Sequence, residues 1–323
     1  MSSDFNFPTY ASLVRGLVVS TCLILTACMP KIDSERSFQN PPQLHKTHFT
    51  TRDGQDLPVR CWLPQTLPPR AVIVALHGFN DYGHAFVNAG QYFSRHGLAL
   101  ITYDQRHFGL SPKPGLWAGI PAYVQDMGDF TEQVRRLYPG VPLYWLGESM
   151  GGALATVAQT TPNPPGIDGL ILVAPAVWGR STMPWYQRGL LSVLVHTVPG
   201  LKLTGEGLKR QPSDNIEVLR GLSRDPWVIK GTRVDALSGL SDLMDLALAS
   251  GHRLKNQSVL LLYGQRDDII PWPPVRQFIA SMESSPGVST LIYPNGYHLL
   301  LRDLGADRPL NDIVTWIDGR LSR

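Results

Sequence analysis

The apolar run Val141-Pro142-Leu143-Tyr144-Trp145-Leu146 ends in Gly147-Glu148-Ser149-Met150-Gly151, and a helix-forming stretch, Ala153 to Gln159, follows directly. The pattern reads as a buried strand, a sharp turn and a helix, with a serine at the apex. A turn this tight leaves no room for a side chain at either flanking position, and glycine has no Cβ to collide. Ser149 would sit on a strained backbone with its hydroxyl exposed, and the N–H of Met150 would be free to stabilise an oxyanion. The pentapeptide alone is a weak sign, and its context carries the inference.

A serine hydroxyl is a poor nucleophile until a base takes its proton, and the base needs an orienting carboxylate. Serines on strand–turn–helix elbows take these partners in the chain order serine, acid, histidine. Beyond Ser149 the chain holds only His196, His252 and His298. A second apolar run, residues 258–264, reads as a strand with Asp267 just past its end, and only His298 lies downstream of that acid. His298 follows the strand-like Ser289-Thr290-Leu291-Ile292-Tyr293 and the turn Pro294-Asn295-Gly296. Ser149, Asp267 and His298 therefore all fall just beyond C-terminal strand ends, where open α/β sheets place their sites. A further β-rich run, Ala71 to Leu76, leads into His77-Gly78-Phe79. The loop there is placed to supply a second oxyanion N–H from Phe79, opposite Met150, with His77 bracing the loop.

These motifs resemble an α/β-hydrolase of the monoacylglycerol lipase and lysophospholipase type, a group that overlaps the serine aminopeptidases. The resemblance spans about residues 46 to 321. It rests on His77-Gly78-Phe79, Asp104-Gln105-Arg106 through Gly109 and Ser111, the Gly147–Gly151 elbow, Gly264-Gln265-Arg266-Asp267 and Gly296-Tyr297-His298. Asp214-Asn215 and Asp225-Pro226 are similar to that group as well. One departure stands out: His107 takes the place of a glycine that the family usually carries. Either the backbone avoids positive φ there or the histidine tolerates it. The resemblance implies an acyl-enzyme mechanism with no cofactor and no metal.

Composition fits this reading. A chain of 323 residues with 43% hydrophobic residues can bury one large core. Its net charge is +3 with no basic run, which argues against nucleic acid as a partner. No Cys/His cluster has zinc spacing, and no glycine-rich phosphate loop is present.

Arg15 precedes the apolar stretch Gly16 to Leu25, which is too short to span a bilayer and has the length of a signal-peptide core. Leu25-Thr26-Ala27-Cys28 resembles a bacterial lipobox, whose cysteine is lipidated and becomes the mature N-terminus. Residues 1–27 are then a lipoprotein signal peptide, and residues 28–45, rich in Pro and mixed charge, a tether. Cys22 leaves with the signal and Cys28 carries lipid, so Cys61 remains alone and no intramolecular disulfide can form. Met29 after the lipidated cysteine, in place of an aspartate, leans toward the outer membrane of a bacterial cell envelope.

The remaining chain divides into a core, 46–175 with 256–323, and an insertion at 176–255. In the core, an antiparallel hairpin turns at Asp53-Gly54, strands and helices then alternate, and a helix covers 120–137. Such alternation predicts a mostly parallel central sheet covered by helices on both faces. From Pro175 to Lys255 the alternation stops, and a helical stripe runs through Val234, Leu237, Leu240, Leu243 and Leu246. This is a mainly helical cap, carrying eleven Lys/Arg against seven Asp/Glu over 177–255. Trp185, Leu190, Leu191 and Leu194 in the cap are expected to line an acyl-chain entrance.

The resulting expectation is a serine ester hydrolase acting on a lipid such as a monoacylglycerol or lysophospholipid. A small-ester carboxylesterase, a serine aminopeptidase of the same fold and a non-catalytic binding lipoprotein remain alternatives.

Overall fold

The computed structural model describes residue 32 and residues 40–322, apart from 206, 208, 209, 255, 256 and 283–285. The signal-peptide and lipidation expectations at residues 1–27 and Cys28 lie outside the described residues.

In chain order the core begins with β1 (Gln43–Leu44), β2 (His48–Thr50), β3 (Asp56–Trp62) and β4 (Ala71–Leu76). It continues with α1 (Val87–Arg95), β5 (Leu98–Tyr103), α2 (Ile120–Leu137), β6 (Leu143–Glu148), α3 (Met150–Gln159) and β7 (Gly169–Val173). The insertion follows, with α4 (Trp185–Thr197), β8 (Lys202–Thr204), α5 (Ile216–Arg224), β9 (Gly231–Arg233) and α6 (Val234–Ser250). The core resumes with β10 (Val259–Gly264), α7 (Trp272–Met282), β11 (Val288–Tyr293) and α8 (Asp307–Leu321).

Nine strands form one sheet in the order β1-β2-β3-β5-β4-β6-β7-β10-β11. β1, β2 and β3 join antiparallel, and every pairing from β5 to β11 is parallel. The α/β-hydrolase architecture expected from the motifs is therefore present. Strand β4 shows why the sheet is covered on both faces. Val72, Val74 and Leu76 enter one core cluster, and Ala71, Ile73 and Ala75 enter the other, as the two-residue period of a strand requires. The first cluster takes Tyr123, Met127, Phe130 and Val134 from α2, Ala153 and Leu154 from α3, and Val275 and Phe278 from α7. The second takes Ala89 and Phe93 from α1 and Leu310, Ile313 and Ile317 from α8. Each fully buried Val, Leu, Ile, Phe or Met side chain among them contributes about 1.5–3 kcal/mol of transfer free energy, so a sheet apolar on both faces strongly favours two helical layers.

The insertion is helical with one addition: β8 and β9 pair as an antiparallel ribbon. The stripe expected on α6 is shifted. Val234, Leu243, Met244, Ala247 and Leu248 are buried, whereas Leu246 is 47% exposed. A helix advances about 100° per residue, so a strict every-third-residue series drifts about 60° at each step and leaves the buried face. Close packing of α6 on the core is visible at Gly239, where a Cβ would overlap the Trp117 indole.

Candidate active site

Gly147 and Gly151 make the elbow possible. A Cβ on Gly147 would meet the Gly151 carbonyl oxygen at 2.5 Å, and one on Gly151 would overlap the Leu76 carbonyl, with Leu76 Cβ at 2.8 Å. Between them Ser149 has φ 53° and ψ −114°, a conformation that L-residues rarely adopt. Such strain costs about 1–3 kcal/mol and persists only where neighbours enforce it. Here the Ser149 N–H donates to Val173 O at 3.0 Å, while Ser149 O accepts from Ala153 N at 3.1 Å and Ala176 N at 2.9 Å.

The loops after β6, β10 and β11 bring the three expected residues together. Ser149 Oγ lies 3.0 Å from His298 Nε2, and His298 Nδ1 lies 2.7 Å from Asp267 Oδ2. Asp267 Oδ1 accepts from the N–H groups of Ile269 at 2.8 Å and Ile270 at 2.9 Å, which fixes the carboxylate plane. The neighbouring acid faces elsewhere: Asp268 Oδ2 accepts from Gln211 N at 3.0 Å, in the insertion. Burial alone would lower the His298 pKa, but the carboxylates of Asp267 and Glu148 outweigh it and the net direction is upward.

The β4 loop presses against the serine, since a Cβ on Gly78 would come 3.4 Å from Ser149 Cβ. Phe79 follows, its ring held edge-on by Phe108 at 5.5 Å and Trp117 at 6.3 Å. Met150 opens α3 with its side chain fully buried, so its N–H belongs to the first helical turn, which has no intrahelical acceptor. His77 braces this loop. Its Nδ1 donates to Gly78 O at 2.9 Å, and its Nε2 accepts from Gln105 N at 2.9 Å. Burial pushes the imidazole pKa down, which keeps the ring neutral for these two roles.

His107, the departure from the family pattern, has φ +65°, so the histidine adopts the glycine-like conformation. Its Nδ1 donates to Pro112 O at 2.9 Å. Two residues on, Gly109 (φ +57°) cannot be replaced in this way, because a Cβ there would lie 2.5 Å from Asp104 Oδ2.

A cavity of about 300 Å³ opens beside Ser149 and His298, with apolar walls from Leu222, Val228, Leu240, Met244, Ile269 and Leu299. Trp185, Leu190, Leu191 and Leu194, expected at an acyl-chain entrance, are not among the residues that line this cavity. All four lie on α4, where Trp185 is 77% and Leu190 59% exposed. An apolar helix in the insertion signals burial or exposure equally well, and the pattern carries no information on which face meets the site. Of the apolar walls, Leu222, Val228, Leu240 and Met244 come from α5, α6 and their connection, with a spacing unremarkable as sequence, and Ile269 and Leu299 come from the core loops after β10 and β11.

The cap root is also stitched to the loop after His298. Leu299 N donates to Pro212 O at 2.8 Å, Ser213 Oγ to Asp303 Oδ1 at 2.6 Å and Leu304 N to Asp214 Oδ1 at 2.9 Å. Asn215 caps α5 and donates from Nδ2 to Arg302 O at 3.1 Å. Asp225 accepts from Tyr82 Oη at 2.8 Å. The Asp214-Asn215 and Asp225 positions picked out by resemblance are thus the fasteners between cap and core.

Residues 67–305 match the family model described as Serine aminopeptidase, S33 (Hydrolase_4). The chain belongs to this family. A Monoacylglycerol lipase of Mycolicibacterium smegmatis is 27% identical over 274 residues, covering 80% of this chain and 92% of the relative. A Monoglyceride lipase of Rattus norvegicus is 26% identical over 307 residues, 91% and 97% of the two chains. Among solved structures, a soluble variant of the Saccharomyces cerevisiae monoglyceride lipase superposes with a TM-score of 0.70 at 21% identity, covering 89% and 98%. The monoacylglycerol lipase of Paleococcus ferrophilus gives 0.69 at 22% identity, covering 82% and 99%. The chain is an α/β-hydrolase of the monoacylglycerol lipase type, as its motifs suggested.

Proposed function

We propose that this protein hydrolyses lipid esters of the monoacylglycerol or lysophospholipid class through an acyl-enzyme on Ser149. Ser149 Oγ attacks the ester carbonyl carbon while His298 Nε2 takes its proton. The N–H groups of Phe79 and Met150 stabilise the tetrahedral oxyanion. His298 returns the proton to the departing alcohol oxygen as the C–O bond breaks, and Asp267 holds the imidazole in the tautomer that this requires. Water, deprotonated by His298, then attacks the acyl-enzyme and releases the fatty acid.

The observation that carries the substrate class is the apolar cavity at the hydrogen-bonded Ser149–His298–Asp267 array. The names of the full-length relatives support the same class. An aminopeptidase would need an unshared carboxylate for a peptide N-terminus. The two carboxylates on the cavity wall, Asp81 and Glu148, each already give an oxygen to the Arg302 guanidinium. A buried methylene contributes about 0.8 kcal/mol, about fourfold in a specificity constant. The expected result is a kcat/KM that rises from acetyl toward medium and long acyl chains, with monoacylglycerols or lysophospholipids ahead of triacylglycerols. Leu222→Ser with Leu240→Ser should flatten that series and leave acetyl esters nearly unaffected. A series peaking at acetyl, or aminoacyl anilides cleaved faster than any ester, assigns the protein to the small-ester or peptidase alternative.

We further propose that Cys28 is lipidated and anchors the enzyme in the bacterial cell envelope, on the outer membrane. The support is the lipobox Leu25-Thr26-Ala27-Cys28 behind a short apolar core. One acyl chain binds a bilayer marginally and two or more bind stably. Membrane-fraction activity should therefore survive a salt wash and vanish with Cys28→Ser. An unmodified N-terminus on the cell-derived protein would remove the anchor from this reading.

A further inference from the structure

From its place in the loop after β11, one buried guanidinium reaches both the loop after β4 and the nucleophile elbow after β6. Arg302 lies four residues after His298 and is 8% exposed. Its Nη1 donates to Asp81 Oδ2 at 2.8 Å, two residues beyond Phe79. Its Nη2 donates to Glu148 Oε2 at 3.1 Å, the residue immediately before Ser149. Asp81 is 8% and Glu148 1% exposed, so neither bond competes freely with water. The Arg302 backbone is fixed in turn, its N–H donating to Leu299 O at 2.7 Å and its carbonyl accepting from Asn215 Nδ2.

We propose that Arg302 is a positioning residue for the hydrolysis: through Asp81 and Glu148 it sets the oxyanion loop, the nucleophile elbow and the histidine loop relative to one another. The planar fork of arginine suits this task, since two nitrogens at a fixed spacing address two carboxylates on different loops. A lysine ammonium carries the same charge on one atom and imposes no such spacing. The arrangement is more than mechanical. Asp267, Glu148 and Arg302 are the charged groups that act on His298, and Arg302, Asp81, His298 and Asp303 act on Glu148. Glu148 raises the His298 pKa and Arg302 lowers it, so each partner leaves its own mark on the pH profile.

The inference rests on the Ser149–His298 chemistry proposed above, but not on the substrate class, because a fluorophosphonate labels an activated serine whatever the natural ester is. The test compares wild type with Arg302→Lys and Glu148→Gln on a soluble short-chain nitrophenyl ester. Rates are expressed per serine titrated by fluorophosphonate. A displacement of about 1 Å of a reacting group lowers rates by about 100-fold. Arg302→Lys should therefore lower kcat about 10- to 100-fold with KM within about twofold, and slow fluorophosphonate labelling in parallel. Glu148→Gln should move the acid limb of kcat/KM to lower pH. A role confined to stability would lower Tm while leaving kcat per titrated serine and the acid limb unchanged in both variants, and that outcome overturns the proposal. Should Arg302→Lys fail to fold, Glu148→Gln decides through kcat per titrated serine above the acid limb, since it preserves size and one acceptor oxygen: a wild-type kcat overturns the proposal, and a kcat lowered about 10-fold or more supports it. A wild-type chain that no fluorophosphonate labels overturns the Ser149 chemistry instead.

Discussion

Ser149→Ala should abolish ester hydrolysis, with a fall in kcat of about 10⁴- to 10⁶-fold, and should remove all fluorophosphonate labelling. The thermal transition should move by only a few degrees, because the variant keeps the backbone bonds to Val173, Ala153 and Ala176 that hold the elbow. Asp267→Asn should reduce kcat by about 10⁴-fold, since it favours the wrong imidazole tautomer. Asp268→Asn should cost less than about tenfold, because Asp268 faces Gln211 and an amide oxygen can still accept that N–H. The base must be neutral to accept the serine proton. With the His298 pKa above the ordinary 6.5, activity is full above the raised value and is lost as pH falls through it. The acid limb of kcat/KM should accordingly lie above pH 6.5 in wild type and move down in Asp267→Asn. Labelling that persists in Ser149→Ala, or equal losses in the two aspartate variants, contradicts this assignment.

Gly151→Ala should be the most destabilising single methyl addition in the core. The new Cβ overlaps the Leu76 carbonyl, and backbone on a central strand cannot give way as the end of a flexible side chain can. A penalty of about 4–5 kcal/mol, at the upper end for single substitutions, lowers Tm by about 6–8 °C in a chain of this size. Gly189→Ala is the control. It lies within α4, nothing stands within 4 Å of a Cβ there, and alanine is favoured over glycine in a helix by about 1 kcal/mol. It should raise Tm slightly. A Gly151→Ala protein melting within about 2 °C of wild type would mean that the elbow is looser than its geometry implies.

The meeting of Ser149, His298 and Asp267 and the parallel sheet were legible because their signals are local and strictly ordered. Strand runs such as 71–76 and 259–264 are apolar at every position, and the glycines of the elbow answer to sterics within five residues. The expected helix over 120–137 coincides with α2 for the same reason, its apolar positions repeating at the helical period. Cap residues gave no such handle. Trp185 and Leu190 looked like cavity lining because they are large and apolar, but composition cannot tell inward from outward on an amphipathic helix. Leu222, Val228 and Leu240 share a cavity with the serine through the fold of α5 and α6 over the sheet, a relation among residues far apart in sequence. Arg302 was invisible for another reason. A lone arginine in a loop reads as solvated, and its burial depends on Asp81 and Glu148 arriving from 221 and 154 positions away.

The stitching of residues 212–215 to the loop after His298 changes what counts as a module in this chain. By sequence the insertion is a single cassette between β7 and β10, and a chimaera builder would cut at its two ends. That excision would carry off Pro212, Ser213, Asp214 and Asn215, which hold Leu299, Asp303, Leu304 and Arg302 in place. The recipient would then inherit a foreign scaffold beneath its own base. The unit that can be exchanged without touching that scaffold is smaller: α4 and the first strand of the ribbon, residues 185–204, with residues 212–215 left behind as part of the frame around His298.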